Sequence, residues 1–296
     1  MQQRLDRFLA LLERWGSRAR VQRLIQQGAI RVDGRRGRAD EILRLDQIIE
    51  VEDRQVDSPL EVHPEDIRLD ILYEDQWLLV LNKPPGMVVH PAPGHARGTL
   101  VAGLLHHLGN VLPGLDPLRP GIVHRLDKDT SGVLLVAKDA RTLEDLAKQF
   151  RDRVVEKQYV AAVHGKIRQR SGTITQPIGR NPKDRKRMAV VAGGRSAETR
   201  YEVLGCFDAV TIVRLFPKTG RTHQLRVHLA SIGHPILGDA LYSGARSEAR
   251  QLGVHRQALH AERIAFMHPH THARVAFTAP LADDLRGLWK LAGTLA

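Results

Sequence analysis

Apolar positions change their period twice within the first fifty residues. Leu5, Phe8, Leu9 and Leu12 recur at three- and four-residue spacing, which puts them on one face of a helix. Ser17, whose hydroxyl suits a helix N-cap, precedes a second such run of Val21, Leu24 and Ile25 that Gly28 ends. The period then becomes two: AIRV, a turn at Asp33-Gly34 and the alternating EILRLDQIIEVED predict a small strand-and-hairpin unit. Two short helices on a hairpin make a module over residues 1–56. Residues 53–66 carry two prolines, many charges and no period, so a linker over 57–67 is expected before a second domain at 68–296.

Apolar runs of strand length recur in that second domain at 77–81, 132–137, 159–163 and 210–216. Helical periodicity is clear in TLEDLAKQF, with Leu143, Leu146, Ala147 and Phe150 on one side. In TGRTHQLRVHLA, residues 219–230, Leu225 and Leu229 stack at i, i+4 and predict a helix whose other side carries His223, Arg226 and Ala230, closed by Gly233 and Pro235. Strands outnumber helices and do not alternate with them regularly. The fold class read here is α+β, with a mixed, largely antiparallel sheet rather than a doubly wound parallel one.

Charge narrows the choice of partner. The 45 Lys and Arg against 33 Asp and Glu give a formal charge of +12, which favours a polyanion through phosphate neutralisation. The excess is concentrated: residues 1–38 hold ten arginines and three acids. Solvated helix faces usually interleave both signs, yet the second helix, with Arg18, Arg20 and Arg23, is almost purely positive. A second basic stretch, RNPKDRKR at 180–187, contributes Lys183 and Arg185 to a loop suited to RNA backbone. The single cysteine excludes a disulfide framework, and no apolar run is long enough to cross a bilayer or serve as a secretory signal. A soluble cytoplasmic protein without a membrane partner is expected. No heptad seam is visible, so a monomer is the default.

Candidate chemistry centres on GIVHRLDKDTSGVLLVAK, residues 121–138. DKDTS offers two aspartates one residue apart, as in phosphotransferases that hold Mg²⁺, but such a site follows a wholly apolar strand, and here His124 and Arg125 interrupt the run-up. HPHTH at 268–272 clusters imidazoles without a local carboxylate or thiol, which reads as a polar turn rather than a metal site. Asp127, just before an apolar strand, is expected to be partly desolvated, so it needs a guanidinium to stay ionised and oriented. Arg226 is the candidate; a purely structural ion pair would have the same sequence signature.

Three longer segments, HRLDKDTSG, EKQYVAAVHG and TGRTHQLRVHLASIGHPILGDALYSG, resemble the successive motifs of RluA-type pseudouridine synthases. YEDQWLLVLNKPPGMVVHP and RQALHAERIAFMHP agree, so the likeness runs from about Leu69 to near the C-terminus. SRARVQRLIQQGAIRVDGR resembles the small S-four-like RNA-binding module. The resemblance implies isomerisation of uridine to pseudouridine in large-subunit rRNA, free or in a pre-ribosomal particle, without a cofactor or metal. Within the family the D-type branch, whose substrates lie in the helix 69 stem-loop, is the best match; a C-type relative or a non-catalytic assembly factor are the alternatives. It further implies that Asp127 is the essential aspartate, Arg125 displaces the target base, Tyr159 packs on uracil and Arg226 pairs with Asp127. Arg221 and His223 fall in the same matched motif and are expected at the RNA, with Arg18, Arg20 and Arg23 gripping its backbone.

Overall fold

Helices α1 (Leu5–Leu11) and α2 (Arg18–Gln26) form as the apolar spacing predicts, burying Leu5, Leu9, Val21, Leu24 and Ile25 in one small core. The computed structural model describes residues 3–12, 15, 18–52, 62–91, 97–109, 120–184, 187–244 and 248–293, so the expected Ser17 cap lies outside the described residues. Contacts divide the chain into two compact units, Met1–Glu61 and Val62–Ala296. Past α2, the Gly28 and Ala29 N–H groups close on the Ile25 and Leu24 carbonyls, with Gly28 in the left-handed region at φ 74°. Strand β1 (Ile30–Val32) then pairs with β2 (Arg35–Arg36) across Asp33 and Gly34, both at positive φ as a tight hairpin turn demands.

Two expectations for this unit need correction. The alternating stretch 41–53 is not one strand: only β3 (Ile49–Val51) joins the sheet, in the order β2-β1-β3. The Asp33 carboxylate accepts the Ile48 N–H at 2.9 Å and the Gln47 amide at 2.8 Å, and Asp46 sits at φ 65°, so a turn interrupts the run and leaves Leu45 91% exposed. Leu12, expected on the buried face, lies beyond the last turn of α1 and is exposed.

Among the described residues of the second unit, nine strands form one mixed sheet: β4 (Ile71–Glu74), β5 (Leu78–Lys83), β6 (Ser131–Ala137), β7 (Glu156–His164), β8 (Ser171–Ile174), β11 (Thr199–Phe207), β12 (Val210–Pro217), β13 (Leu259–Met267) and β14 (Arg274–Thr278). Their order is β4-β5-β6-β13-β7-β12-β11-β8, with β14 also paired to β13. A separate hairpin pairs β9 (Ile178–Arg180) with β10 (Met188–Val190). All ladders of the large sheet are antiparallel except β6·β13, so the expected mixed, largely antiparallel architecture is borne out.

Around the sheet lie α3 (Leu100–Leu108), α4 (Ala140–Asp152), α5 (Gln224–Ser231), α6 (Glu248–Gln251) and α7 (Asp283–Leu291). Thr99 caps α3 through Ala102 N–H, and Asp139 caps α4 through Thr142 N–H. Leu100 and Leu104 of α3 pack on Leu79, Leu81, Leu134 and Val136, while Leu146 of α4 packs on the opposite face with Leu78, Val80, Val133 and Leu135. Chain from Val62 runs against α3, where Glu65 N–H meets the Ala102 carbonyl at 3.1 Å. Among the described residues no helix is long and apolar enough to cross a membrane.

Strands β6 and β13 meet in a short parallel junction at the start of each. His260 pairs with Ser131 and Ala261 with Gly132, and a Cβ on Gly132 would lie 2.1 Å from the Ala261 carbonyl oxygen. Gly132, at φ 113°, is therefore required for close backbone approach inside β6.

Candidate active site

The loop 122–130 leads into β6 and is held from several sides. Leu135 N–H donates to His124 Nε2 at 3.0 Å, and the imidazole stacks on Phe150. Burial, helped by the Lys157 charge, pulls His124 down to about 3, so the ring stays neutral and keeps its acceptor nitrogen. The Thr130 N–H closes a turn on the Asp127 carbonyl at 3.1 Å. Lys83, fully buried at the end of β5, donates to the carbonyls of Pro84, Met87 and Lys128 at 2.8–2.9 Å. On the far side Arg256 donates to the Asp129 carbonyl at 2.9 Å while its fork grips Asp284 at the start of α7. Ser131 Oγ bonds buried His260 at 2.9 Å. Asp129 lies in this loop and contributes its backbone carbonyl.

So held, the Asp127 side chain is 22% exposed and meets Arg226 from α5, 99 residues later, with Nη1 donating to Oδ2 at 3.0 Å. The Arg226 side chain is only 6% exposed, and its other two groups go elsewhere: Nε and Nη2 grip both oxygens of Asp239 at 2.6 and 2.9 Å. Asp239 is completely buried and also accepts the N–H groups of Leu241 and Tyr242. Burial opposes the Arg226 charge, but the two carboxylates outweigh it and hold the guanidinium firmly protonated. Tyr242 covers Arg226, with its ring centre 5.1 Å from the guanidinium carbon.

Helix α5 differs from the amphipathic helix expected. It is buried nearly all round: Gln224 bonds Thr219 and Thr199, and His228 bonds Thr199 and the Gln176 carbonyl. His223 precedes the helix in a left-handed conformation at φ 54°, with Nδ1 2.9 Å from the Tyr242 hydroxyl.

These groups open on a cleft of about 600 Å³. Asp127, Tyr159 and Arg226 line it together, as do Arg125, Arg221 and His223. Tyr159 comes from the middle of β7, between Leu215 of β12 and Ala261 of β13, beside a bulge at Ala261/Arg263. Burial first, then the Asp127 charge, raises its phenol, so it remains a neutral hydroxyl. Arg125 is exposed at the cleft. Of the lining side chains eight are Lys or Arg, and Asp127 is the one carboxylate among those described.

The other residues expected at RNA are elsewhere. Lys183 is exposed in the turn between β9 and β10 and does not line the cleft; Arg185 lies outside the described residues. Arg20 is exposed and Arg23 half-buried on α2 of the first unit, while the side chain of Arg18 lies outside the described residues. The HPHTH histidines are taken up structurally: His268 bonds Asp75 at 2.8 Å and His270 stacks on Trp77. Sequence reasoning missed Asp239, Lys83 and Arg256. All three fall inside segments quoted for the family resemblance, which was the only available signal.

The family model described as RNA pseudouridylate synthase matches residues 77–231, and the S4 domain model matches residues 3–49. An RNA pseudouridine synthase of Bacillus subtilis is 44% identical over 97% of this chain and 93% of its own length. A protein of Pseudomonas aeruginosa named ribosomal large subunit pseudouridine synthase D is 42% identical over 98% and 91%. Among solved structures, human RNA pseudouridylate synthase domain containing 1 superposes with a TM-score of 0.59 at 29% identity, covering 73% of this chain and 84% of that one.

Proposed function

The chain belongs to the RNA pseudouridylate synthase family with an S4 domain in front, and from that premise we propose that it isomerises uridines of large-subunit rRNA with Asp127 as the reacting carboxylate. The observation that carries the assignment is the cleft itself. One carboxylate stands in a wall of cations, pinned by a guanidinium that a second, buried carboxylate anchors. A structural ion pair has no need of an open cleft, nor of a partner left 22% exposed.

Conversion of uridine to pseudouridine breaks N1–C1′, turns the uracil, joins C5 to C1′, removes the C5 proton and leaves a proton on N1, with no net redox change. A base inside folded RNA must first leave its stack, and exposed Arg125 is suited to fill the space it vacates. Asp127 Oδ2 is occupied by Arg226, which leaves Oδ1 to act on the ribose or the uracil, as nucleophile or base. Tyr159, neutral and lining the same cleft, packs against the flipped uracil and assists removal of the C5 proton. The helix 69 stem-loop is the proposed target, a reading supported by relatives over nearly the full chain that carry the D-type name.

Asp127→Asn tests the assignment. With transcribed large-subunit rRNA carrying tritium at uridine C5, the wild type releases tritium and the variant does not; release at the wild-type rate would refute it. Mapping pseudouridines in rRNA from cells with and without the gene tests the site. Loss of modification outside helix 69 would favour the C-type alternative.

A further inference from the structure

In the second unit Lys138 is paired with Glu74, Arg256 with Asp284 and Arg226 with two carboxylates, while buried Lys83 is held by three backbone carbonyls. Among the described residues, five further cations of the cleft, three of them exposed, have no carboxylate partner. Arg151 and Arg153 at the end of α4, Lys157 at the start of β7, Arg195 before β11 and Arg221 before α5 all line it, and none forms an ion pair among the described residues. They are close enough to repel: after burial, the charges of Arg195 and Arg153 act on Arg221, and that of Arg153 acts on Lys157. A like-charged group of this kind destabilises the free protein unless a polyanion occupies it.

Its backbone is also set at a cost. Arg153 is the C-cap of α4 in the left-handed conformation, φ 62° and ψ 28°, a position where glycine is the ordinary choice. The strain keeps a guanidinium at the cleft where a glycine would fit more easily. Other members of the wall are prepositioned. Arg221 Nε donates to the Ser196 carbonyl at 3.0 Å, its N–H to Gln224 Oε1 at 2.9 Å, and Lys157 Nζ lies 6.0 Å from the centre of the Phe150 ring.

We propose that Arg151, Arg153, Lys157, Arg195 and Arg221 form a phosphate-binding subsite for the RNA strand flanking the flipped uridine, distinct in task from the Asp127–Arg226 pair. Guanidinium forks suit the paired oxygens of phosphodiesters, and a wall free of carboxylates puts no repulsive charge in their way. The inference rests on the proposed RNA-modifying function and specifies which wall holds the substrate backbone.

Arg153→Gly separates a ligand role from a structural one because the two predict opposite signs. Relief of the left-handed strain raises the thermal midpoint of the full-length protein, while affinity for transcribed large-subunit rRNA drops roughly tenfold, the loss of one charge-assisted contact. The slope of log K against log salt becomes shallower by roughly 0.7–0.9, and Arg195→Ala adds a second decrement of the same size. Arg141→Ala, on the exposed side of α4 outside the cleft, removes the same charge and leaves affinity and slope as in the wild type. Wall variants that bind with the affinity and salt slope of Arg141→Ala overturn the subsite. Because binding is read separately from tritium release, an active wild type with unaffected wall variants refutes this inference alone. Unaltered turnover in Asp127→Asn refutes the catalytic reading alone.

Discussion

Asp239→Asn examines the link between a buried anchor and a reaction it does not touch. Asp239 Oδ1 already accepts Nη2 of Arg226 and the N–H groups of Leu241 and Tyr242, so the oxygen of an introduced asparagine keeps that place. Its amide NH₂ must then face Arg226 Nε, which in the native protein donates to Oδ2 at 2.6 Å. One charge-assisted hydrogen bond becomes a donor–donor contact, and a guanidinium only 6% exposed loses the nearer of its two countercharges. A bond of this kind is worth about 1.5–3 kcal/mol, and removing one partner of a buried pair costs about 3–5 kcal/mol of stability, moderated here because Asp127 remains. Arg226 swings off its anchor and the 3.0 Å contact to Asp127 loosens with it. If the alignment energy is expressed in the transition state, turnover at saturating RNA falls roughly 10- to 150-fold. Single-turnover tritium release, run well below the variant's melting temperature, measures this directly. A folded Asp239→Asn protein with a rate within about twofold of wild type would show that the anchor stabilises the fold and does nothing for Asp127, and the reasoning fails.

Two more outcomes depend on particular atoms. Gly132→Ala places a Cβ 2.1 Å from the Ala261 carbonyl oxygen at a φ of 113°, so it forces β6 from β13 and costs on the order of 3 kcal/mol; a chemical denaturation midpoint unchanged from wild type would contradict the close approach. Lys157 is drawn down to about 8, by burial first and then by Arg153, so its positive charge is lost as pH rises through that value. RNA affinity therefore falls between about pH 7 and 9, and Lys157→Arg, charged throughout, flattens that part of the profile when binding is followed by anisotropy. Persistence of the full wild-type decline in Lys157→Arg would assign it to another group.

What could be read from sequence depended on whether a residue's partner was local. The four strands seen as apolar runs are those whose central residues are buried on both faces, as in β6, so no alternation was needed to find them. Strands β11 and β13 escaped because bulges at Val203/Gly205 and Ala261/Arg263 shift their side-chain period in mid-strand. Helix α3 escaped because LVAGLLHHL is apolar on nearly every side, covered by sheet and by the chain from Val62, and shows no amphipathic stripe. At the site, Asp127 and Arg226 could be paired from chemical need and family likeness. Asp239 could not: a lone aspartate in GDALYSG has no period and no neighbouring charge, and its role exists only once α5 turns Arg226 back upon it.

That third member also explains how a carboxylate can work beside a polyanion. Arg226 with Asp127 and Asp239 carries a net charge of one negative, since one guanidinium serves two carboxylates. The unbalanced charge belongs on the more exposed partner, because Asp239 is fully enclosed and holds two of the three guanidinium contacts. Left alone, a negative Asp127 would repel incoming phosphates and be shielded by whichever free cation swung nearest. The structure keeps these tasks apart. Arg226 cannot leave Asp127 for a phosphate without abandoning Asp239 in a dry interior, whereas the arginines of the cationic wall, which form no ion pair among the described residues, give up no carboxylate by binding one. On the proposed function, substrate binding tightens through the wall while Asp127, the proposed reacting carboxylate, keeps the single contact that orients it.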